Sequence, residues 1–312
     1  MFSLLAPAKI NLYLKVLYKR SDGYHKIDTV MQAVTLFDRL NFSPGFKIQV
    51  VTKGHHIPEE DNLVTKALRL LLEYTGLKKG IRVVIEKKIP VAAGLGGGSS
   101  DAAAALLGAC RLWQIPLSVS ELSYLGSQIG SDVPFFFTSG QARARGRGEK
   151  LTELSLPTDY LIALVSPPFA VATPWAYQAL NLRLTSDTNG GNFLPTGKEK
   201  VIGEDLRSSP RALPFSNDLE APVFRRFPEI ERVKKTFDSA GFEPVLMSGS
   251  GPTVWAAFPE KSERQTGAGQ MEKQRARIRK TLIRSGLTPP PRFFIVRPLA
   301  ACAKVSVGGR PA

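Results

Sequence analysis

The segment PVAAGLGGGSSDAAAAL, from Pro90 to Leu106, constrains the fold more than any other part of the sequence. It packs four glycines and two serines into the seven residues from Gly94 to Ser100. The preceding IRVVIEKKI predicts a strand, and SSDAAAALLGACRLW predicts a helix capped by Ser99 or Ser100. Such a loop is typical of an anion site, because the first helical N–H groups lack partners and the helix dipole adds positive charge. The segment therefore predicts phosphate binding rather than a linker.

The loop does not follow the commonest nucleotide-binding patterns. The Walker pattern G-x-x-x-x-G-K-[ST] is absent from the chain, and the Rossmann pattern fails because its sixth position is Ser99. The H-R-D and D-F-G motifs of protein kinases are missing as well. The sequence therefore predicts a different class of nucleotide site.

Composition indicates a folded protein of about two domains in a reducing compartment. The chain has 312 residues, of which 43% are hydrophobic and 22% charged, and these proportions are typical of globular proteins. No apolar run approaches the roughly 20 residues that span a bilayer, and the N-terminus does not resemble a signal peptide. Cys110 and Cys302 allow at most one disulfide. We therefore predict a cytoplasmic protein without a membrane partner.

The net charge of +15 favours an anionic partner without naming it. The densest basic clusters are RARGRGEK, from Arg143 to Lys150, and EKQRARIRK, from Glu272 to Lys280. The second repeats its cations at helical spacing with few aromatic residues, which predicts a solvated helix face.

Helices and strands alternate irregularly along the chain, which favours an α+β protein over a doubly wound parallel sheet. In PAKINLYLKV the polar Lys9 and Asn11 share one strand face, which either meets solvent or points into a cleft. A polar stretch from Thr185 to Pro214 predicts a long surface loop. His55 and His56 have no further ligand at metal-binding spacing, so they predict a surface turn.

Three segments together resemble the GHMP kinases, a family of small-molecule kinases. PVAAGLGGGSS is similar to the second motif of the family, PAKINLYL to the first, and MSGSGPTVWAAF, from Met247 to Phe258, to the third. They stand in the family's order and span most of the chain. The resemblance implies an N-terminal domain like ribosomal protein S5 domain 2 over residues 1–155 and a ferredoxin-like C-terminal domain over residues 156–312. It also implies an ATP-binding loop formed by Pro90, Val91, Ala92, Ala93, Gly94, Leu95, Gly96, Gly97, Gly98, Ser99 and Ser100.

Further segments resemble one branch of this family. RSDGYHKIDTVMQ, IGSDVPFFF, ARGRGEKL and SNDLE are similar to the branch that phosphorylates the 2-hydroxyl of a cytidine diphosphate methylerythritol, in the non-mevalonate route to isoprenoid precursors. Homoserine or mevalonate as substrate is the nearest alternative, but neither carries a base to stack on DGYH. A nucleic-acid-binding protein would fit the charge and leave the three motifs unexplained. The implied partners are therefore ATP and this small molecule, without nucleic acid, for a monomer or homodimer.

The resemblance implies two catalytic residues, Lys9 and Asp132. Asp132 follows Gly130 and precedes Pro134 and three phenylalanines, so its carboxylate is expected to be partly desolvated, as suits a base. From the residues alone Asp132 could equally cap the next element, and Lys9 could be a solvated strand lysine. The resemblance implies that Asp132 is the family's catalytic aspartate and that Lys9 is its partner cation. Lys9 would then activate the alcohol and neutralise charge on the γ-phosphate.

The same resemblance implies the substrate contacts. Tyr24 is expected to stack on cytosine, His25 to read the edge of the base, and Asn11 to lie near the methylerythritol. In ATPWAYQAL, Tyr177 would be the second stacking face, with Thr173 close by, whereas Trp175 is expected to pack in the core. ATP implies Mg²⁺, which is usually held by phosphates, water and few protein groups. The sequence does not identify its ligands.

Overall fold

The computed structural model describes residues 1–54, 57–182, 214–259 and 268–300. His55, His56, Cys302 and all but the last residue of the predicted 185–214 loop lie outside these described residues.

The described residues form strands and helices of a mixed α/β chain. The strands are β1 (Phe2–Lys19), β2 (His25–Gly45), β3 (Ile48–Lys53), β4 (Gly80–Glu86), β5 (Gln141–Gly146), β6 (Lys150–Glu153), β7 (Tyr160–Ser166), β8 (Ser216–Asn217), β9 (Val245–Met247), β10 (Val254–Pro259) and β11 (Arg292–Val296). The helices are α1 (Leu63–Thr75), α2 (Gly97–Trp113), α3 (Val119–Ile129), α4 (Thr173–Gln178), α5 (Glu220–Arg226), α6 (Pro228–Ser239) and α7 (Ala268–Arg284), with a 3₁₀ turn at Pro134–Phe137.

The first sheet carries the N-terminal half of the chain. Its strand order is β3-β4-β2-β1-β8, and β5 pairs with both β2 and β6. Strands β1 and β2 are antiparallel, whereas β3 pairs with β4 in parallel. Helices α1, α2 and α3 contribute apolar residues to the core on this sheet, with Phe42 and Leu68 fully buried in it. The strand β8, from late in the chain, joins the same sheet beside β1.

The second sheet has the order β11-β7-β10-β9, and all its neighbours are antiparallel. Helices α5, α6 and α7 bury apolar residues in its core. A further core lies between the two sheets, where Ile10 and Val30 of the first pack with Leu164 and Trp255 of the second. The indole N–H of Trp255 donates to the carbonyl oxygen of Asn11 at 3.0 Å. Lys9 and Asn11 are only 4% and 3% exposed, so the polar face of β1 is covered at these residues rather than solvated.

The predicted helix ends agree with the structure at α1 and differ at α2. Asn62 caps α1 by accepting from Val64 N, and Gly76 ends it in the left-handed region, as predicted. The predicted cap of α2 at Ser99 or Ser100 is wrong, because the helix begins at Gly97 and its cap is Gly96. Gly96 has a φ of 66°, and no side chain caps the helix by a hydrogen bond. Because the helix begins at Gly97, both serines lie inside its first turn.

The basic helix α7 is solvated on its charged side, as predicted. Ile278 and Leu282 are buried, whereas the neighbouring Arg279 and Lys280 are exposed. Among the described helices none combines the length and apolar character that crossing a membrane requires. The expected domain boundary at residues 155 and 156 stays a prediction.

Candidate active site

A cavity of about 930 Å³ is lined by the glycine loop, strand β1, helix α4 and the turn between β9 and β10. All but one of the predicted site residues line this cavity. The exception is Ser100, which is buried behind the loop with its hydroxyl unpartnered among the described residues. The lining includes Lys9, Asn11, Tyr24, His25, Pro90, Val91, Ala92, Ala93, Gly94, Leu95, Gly96, Gly97, Gly98, Ser99, Asp132, Thr173 and Tyr177.

The three motifs that resemble those of the GHMP kinases contact one another at this cavity. The N–H of Lys9 donates to Leu95 O at 2.9 Å, which joins the first motif to the second. The hydroxyl of Ser248 donates to Gly94 O at 2.8 Å and accepts from the N–H of Asn11 at 3.3 Å. Gly94 has a φ of 75°, and a Cβ there would collide with the carbonyl oxygen of Ser248. Glycine is therefore required where the third motif rests on the loop.

Lys9 and Asp132 form an ion pair at the centre of the cavity. Lys9 Nζ lies 3.2 Å from Asp132 Oδ2, and it also donates to Asn11 Oδ1 at 2.7 Å. The Asn11 amide donates in turn to Thr29 Oγ1 at 2.8 Å, which fixes its orientation. The Lys9 side chain is 5% exposed and that of Asp132 is 35% exposed. The lysine is thus held from behind, whereas the carboxylate remains open to the cavity.

The Asp132 carboxylate does not cap the 3₁₀ turn that follows it in this fold. Among the described residues no backbone N–H donates to it, and the 3₁₀ turn that follows begins at Pro134, which has no N–H to cap. The turn instead buries Phe135 and Phe136 beneath the site. Asp132 is therefore held at the cavity wall by apolar packing of its neighbours and by the Lys9 ammonium.

An aromatic end closes the other side of the cavity. The rings of His25 and Tyr177 lie 5.3 Å apart at 32°, while Tyr24 is 53% exposed. Thr173 begins α4 and shares a 2.9 Å hydrogen bond with Ser250. Burial, and then the Asp132 charge, raise the pKa of Tyr177, so its hydroxyl stays protonated.

The His25 imidazole is neutral at this aromatic end. Burial lowers the pKa of His25, and the nearby charge of Lys19 lowers it further. A neutral imidazole offers one donor and one acceptor nitrogen, which suits recognition of a base edge. Trp175, expected to pack in the core, lies edge-on against Phe227 at 5.5 Å.

Sequence reasoning missed a buried charge cluster behind the glycine loop. Lys87 donates to Asp38 Oδ2 and, at 2.8 Å, to Asp101 Oδ2. Asp38 Oδ1 also accepts from the backbone N–H of Ile89 at 2.9 Å. The cluster ties the segment that enters the loop both to strand β2 and to helix α2, which follows the loop. A lysine directly before the loop was the available signal, but its partners lie 49 and 14 residues away.

The cluster carries one more carboxylate than ammonium. Burial raises the pKa of Asp101 to about 7, and the favourable charge of Lys87 offsets only part of that rise. Burial alone lowers the pKa of Lys87, but the charges of Asp101 and Asp38 together raise it above its ordinary value.

Comparisons with known proteins agree with this geometry. The model of the GHMP kinases N terminal domain matches residues 62–140, and that of the GHMP kinases C terminal domain matches residues 198–276. A homoserine kinase from Cytophaga hutchinsonii has the same fold, with a TM-score of 0.66 at 18% identity over 96% of this chain and 95% of its own. The chain belongs to the GHMP kinases, and the predicted two-domain fold of that family is confirmed.

Nearer relatives specify the branch. A protein of Thermodesulfovibrio yellowstonii is 39% identical over 91% of this chain and 99% of its own, and one of Geobacillus thermodenitrificans is 41% identical over 84% and 90%. Both are named 4-diphosphocytidyl-2-C-methyl-D-erythritol kinase. A crystal structure of a 4-(cytidine 5'-diphospho)-2C-methyl-D-erythritol kinase has a TM-score of 0.71 at 31% identity and covers 96% of this chain and 99% of that one. Within the GHMP kinases, the chain falls in this family of 4-diphosphocytidyl-2-C-methyl-D-erythritol kinases.

Proposed function

We propose that this chain transfers the γ-phosphoryl group of ATP to the 2-hydroxyl of 4-diphosphocytidyl-2-C-methyl-D-erythritol. The observation that carries the proposal is the Lys9–Asp132 ion pair, which lies in one cavity with both the glycine loop and the aromatic end. The names of the relatives at 39% and 41% identity support the substrate. Homoserine and mevalonate kinases share the fold at 18% and 12% identity, which speaks for the fold alone.

The glycine loop is proposed to bind the ATP phosphates. Helix α2 starts at Gly97 and runs for 17 residues, so its first N–H groups and its dipole favour anionic oxygens at the loop. Gly96 and Gly98 present backbone without side chains to the cavity, which allows close approach of phosphate oxygens.

Asp132 is proposed to accept the proton of the 2-hydroxyl as the alcohol oxygen attacks the γ-phosphorus. A bond forms between that oxygen and phosphorus, the bond from phosphorus to the bridging oxygen of ADP breaks, and the proton moves to the carboxylate. Lys9 holds the carboxylate in place and stabilises negative charge on the transferred group. Its bond to Asn11 keeps the ammonium in position without removing its charge.

The aromatic end is proposed to bind the cytidine. Tyr24 offers an exposed ring for stacking, and neutral His25 offers hydrogen bonds to the base edge. Tyr177 and Thr173 would complete this pocket, and Asn11 would lie near the methylerythritol beside Lys9. The positions of these residues around the cavity support the roles that the family resemblance implies.

Mg²⁺ is the proposed cofactor, and when bound it would neutralise charge on the β- and γ-phosphates. Among the described residues no group of three His, Cys, Asp or Glu side chains could hold a metal ion, which fits an ion bound chiefly by phosphate oxygens and water. We assign it no protein ligand. The proposed partners are ATP and the small-molecule substrate, without nucleic acid or membrane, for a cytoplasmic monomer or homodimer.

The test is ADP release from Mg·ATP with four alcohols offered separately: the cytidine diphosphate methylerythritol, homoserine, mevalonate and galactose. The proposal predicts turnover with the first alone. Turnover with another alcohol would reject the proposed substrate. Release of ADP with none of the four would reject the proposed activity altogether.

A further inference from the structure

A short segment from late in the chain joins strand β1 to the turn between β9 and β10. This segment, SNDLE, runs from Ser216 to Glu220 and begins with β8, which lies parallel to β1. The N–H of Asp218 donates to Leu14 O at 3.0 Å, and the Asp218 carboxylate accepts from the N–H of Val16 at 2.8 Å. The segment is thereby fixed to the strand that carries Lys9.

The other side of the same segment holds the turn between β9 and β10. The side chain of Asn217 donates from Nδ2 to Met247 O and to Gly249 O, both at 2.8 Å, while its Oδ1 accepts from the N–H of Leu219 at 3.0 Å. Both amide hydrogens are therefore directed at the turn, and the residue is buried. Glu220 adds a bond that it accepts from the N–H of Met247 at 2.8 Å.

The turn that Asn217 holds lies directly against the side chains of Lys9 and Asn11. Gly249 has a φ of 55°, and a Cβ built on it would lie 3.2 Å from Asn11 Oδ1 and 3.6 Å from Lys9 Nζ. The Gly249 backbone therefore limits where the ammonium can move. Because a peptide unit is planar, a hydrogen bond to the Gly249 carbonyl also fixes the direction of the N–H of Ser250. Both residues of this peptide line the cavity.

We propose that Asn217 is a positioning residue for phosphoryl transfer, which holds the turn at Gly249 against Lys9 and Asn11 and so keeps the ammonium beside Asp132. The inference rests on the proposed function and adds to it a residue that does not itself line the cavity. A misplacement of about 1 Å in a reacting group can slow a reaction about 100-fold. A small shift of this turn would therefore slow the transfer.

The glycine loop has supports that do not depend on Asn217. Leu95 O accepts from the backbone N–H of Lys9, and the buried cluster around Lys87 holds the segment that enters the loop. Loss of the Asn217 amide should therefore lower kcat and leave the Kd for ATP near that of wild type. A purely structural role would lower the free energy of unfolding and the fraction of folded protein, but it would not change kcat per folded molecule.

The experiment compares the full-length wild type with Asn217→Asp and Asn217→Ser. The first variant keeps the shape of the side chain and the oxygen that accepts from Leu219, but it places a carboxylate where two carbonyl oxygens need a donor. The second is neutral and keeps one donor on a shorter side chain. We expect Asn217→Asp to lower kcat about 10- to 100-fold with the Kd for ATP within about threefold of wild type, and Asn217→Ser to lower kcat less. ADP release gives kcat, nucleotide titration gives the Kd, and circular dichroism gives the folded fraction.

The matched control is Asn41→Asp, the same substitution on strand β2. The Asn41 amide donates to Glu86 Oε1 at 3.2 Å and to Val84 O at 3.5 Å, and these residues lie outside the cavity lining. The control therefore also loses an amide donor to a main-chain carbonyl, and it should keep the wild-type kcat.

A wild-type kcat in folded Asn217→Asp, an equal loss in Asn41→Asp, or a loss confined to the Kd for ATP would overturn the inference. Failure of both Asn217 variants to fold would assign this residue to the stability of the fold and would also count against it. Absence of ADP release by wild type would reject the proposed function, and the inference with it. A wild type that turns over the cytidine substrate, beside an Asn217→Asp that does so equally fast, would reject this inference alone.

Discussion

Lys9 and Lys87 lie on either side of the glycine loop and differ in what surrounds their partner carboxylates. Both side chains are almost fully buried, at 5% and 3% exposed. Asp132, beside Lys9, is 35% exposed, whereas Asp38 and Asp101, beside Lys87, are 0% and 5% exposed. The loop contacts both lysines, since a Cβ at Gly96 would lie 2.9 Å from Lys9 Cγ and one at Gly97 would lie 3.3 Å from Lys87 Nζ.

The difference supports the reactive role proposed for the first pair and a structural role for the Lys87 cluster. A carboxylate open to the cavity can accept a hydrogen bond from a substrate hydroxyl while it stays paired with its lysine, which suits the Lys9–Asp132 pair to its proposed role. The Lys87 cluster has no such freedom, because removing one member leaves buried charges without partners. The exposure of the carboxylate therefore distinguishes the pair proposed for catalysis from the cluster that holds the loop.

The largest expected effect is on turnover, from Asp132→Asn. The amide cannot accept the proton of the alcohol, so kcat should fall about 10²- to 10⁴-fold, the range for a positioned base, while the Kd for ATP stays near that of wild type. Steady-state kinetics and nucleotide titration measure the two quantities. Asp159→Asn, at an exposed position on the N-terminal side of β7, is the control. Full activity in Asp132→Asn would remove this carboxylate from the mechanism.

The next largest expected effect is a loss of stability in Lys87→Met. Two buried carboxylates would lose their shared cation, and breaking a buried ion pair costs about 3–5 kcal/mol of unfolding free energy. Urea unfolding measures this change. Lys88→Met removes the same charge from an exposed neighbour and should change the unfolding free energy by less than about 0.5 kcal/mol. Equal effects in both variants would mean that the cluster does not stabilise the loop.

Part of this organisation can be predicted from the sequence. The glycine loop, its flanking strand and helix, and the ends of α1 at Asn62 and Gly76 follow from local patterns that need no distant contacts. The cap at Gly96 was missed because serine is the commoner capping residue, whereas the loop here requires a left-handed φ. The sequence alone gives no reason to pair Lys9 with a residue at position 132.

Residues that act through distant contacts could not be found in this way. Asp38 and Asp101 flank Lys87 because β2, the end of β4 and α2 converge there. Ser248 contacts the loop across 154 residues of chain. The sequence identifies Arg147 only as part of a basic cluster, because no local pattern indicates that its side chain contacts Tyr24. These contacts depend on tertiary packing, and only the family resemblance pointed toward that packing.

Tyr24→Ala should weaken substrate binding without a comparable loss in kcat. Base stacking on an aromatic ring contributes about 1–3 kcal/mol, so the KM for the cytidine substrate should rise while the KM for ATP stays constant. Tyr24→Phe keeps the ring and should retain most of the affinity. An unchanged KM in Tyr24→Ala would mean that the base stacks elsewhere.

A further expected effect is on the pH dependence of stability, through Asp101. Its pKa is raised to about 7 in the folded protein from 3.8, so the folded state binds more protons than the unfolded state between these values. Its contribution to stability is therefore fully present below about pH 4 and is lost as the pH rises toward 7. Urea unfolding of wild type and Asp101→Asn at pH 5 and pH 7.5 measures this, and the difference between the two proteins should change with pH. An identical pH dependence in both would contradict a buried carboxyl that titrates near 7.

The central claim is that this chain transfers the γ-phosphoryl group of ATP onto the 2-hydroxyl of the cytidine substrate. Phosphorus and carbon NMR of the wild-type reaction mixture tests it most directly, because the spectra locate the new phosphate ester and show whether ADP formation matches it. The account predicts one ester, on the 2-hydroxyl, formed in equal amount to ADP. An ester on another hydroxyl, or ADP released with free phosphate and unchanged alcohol, would contradict it.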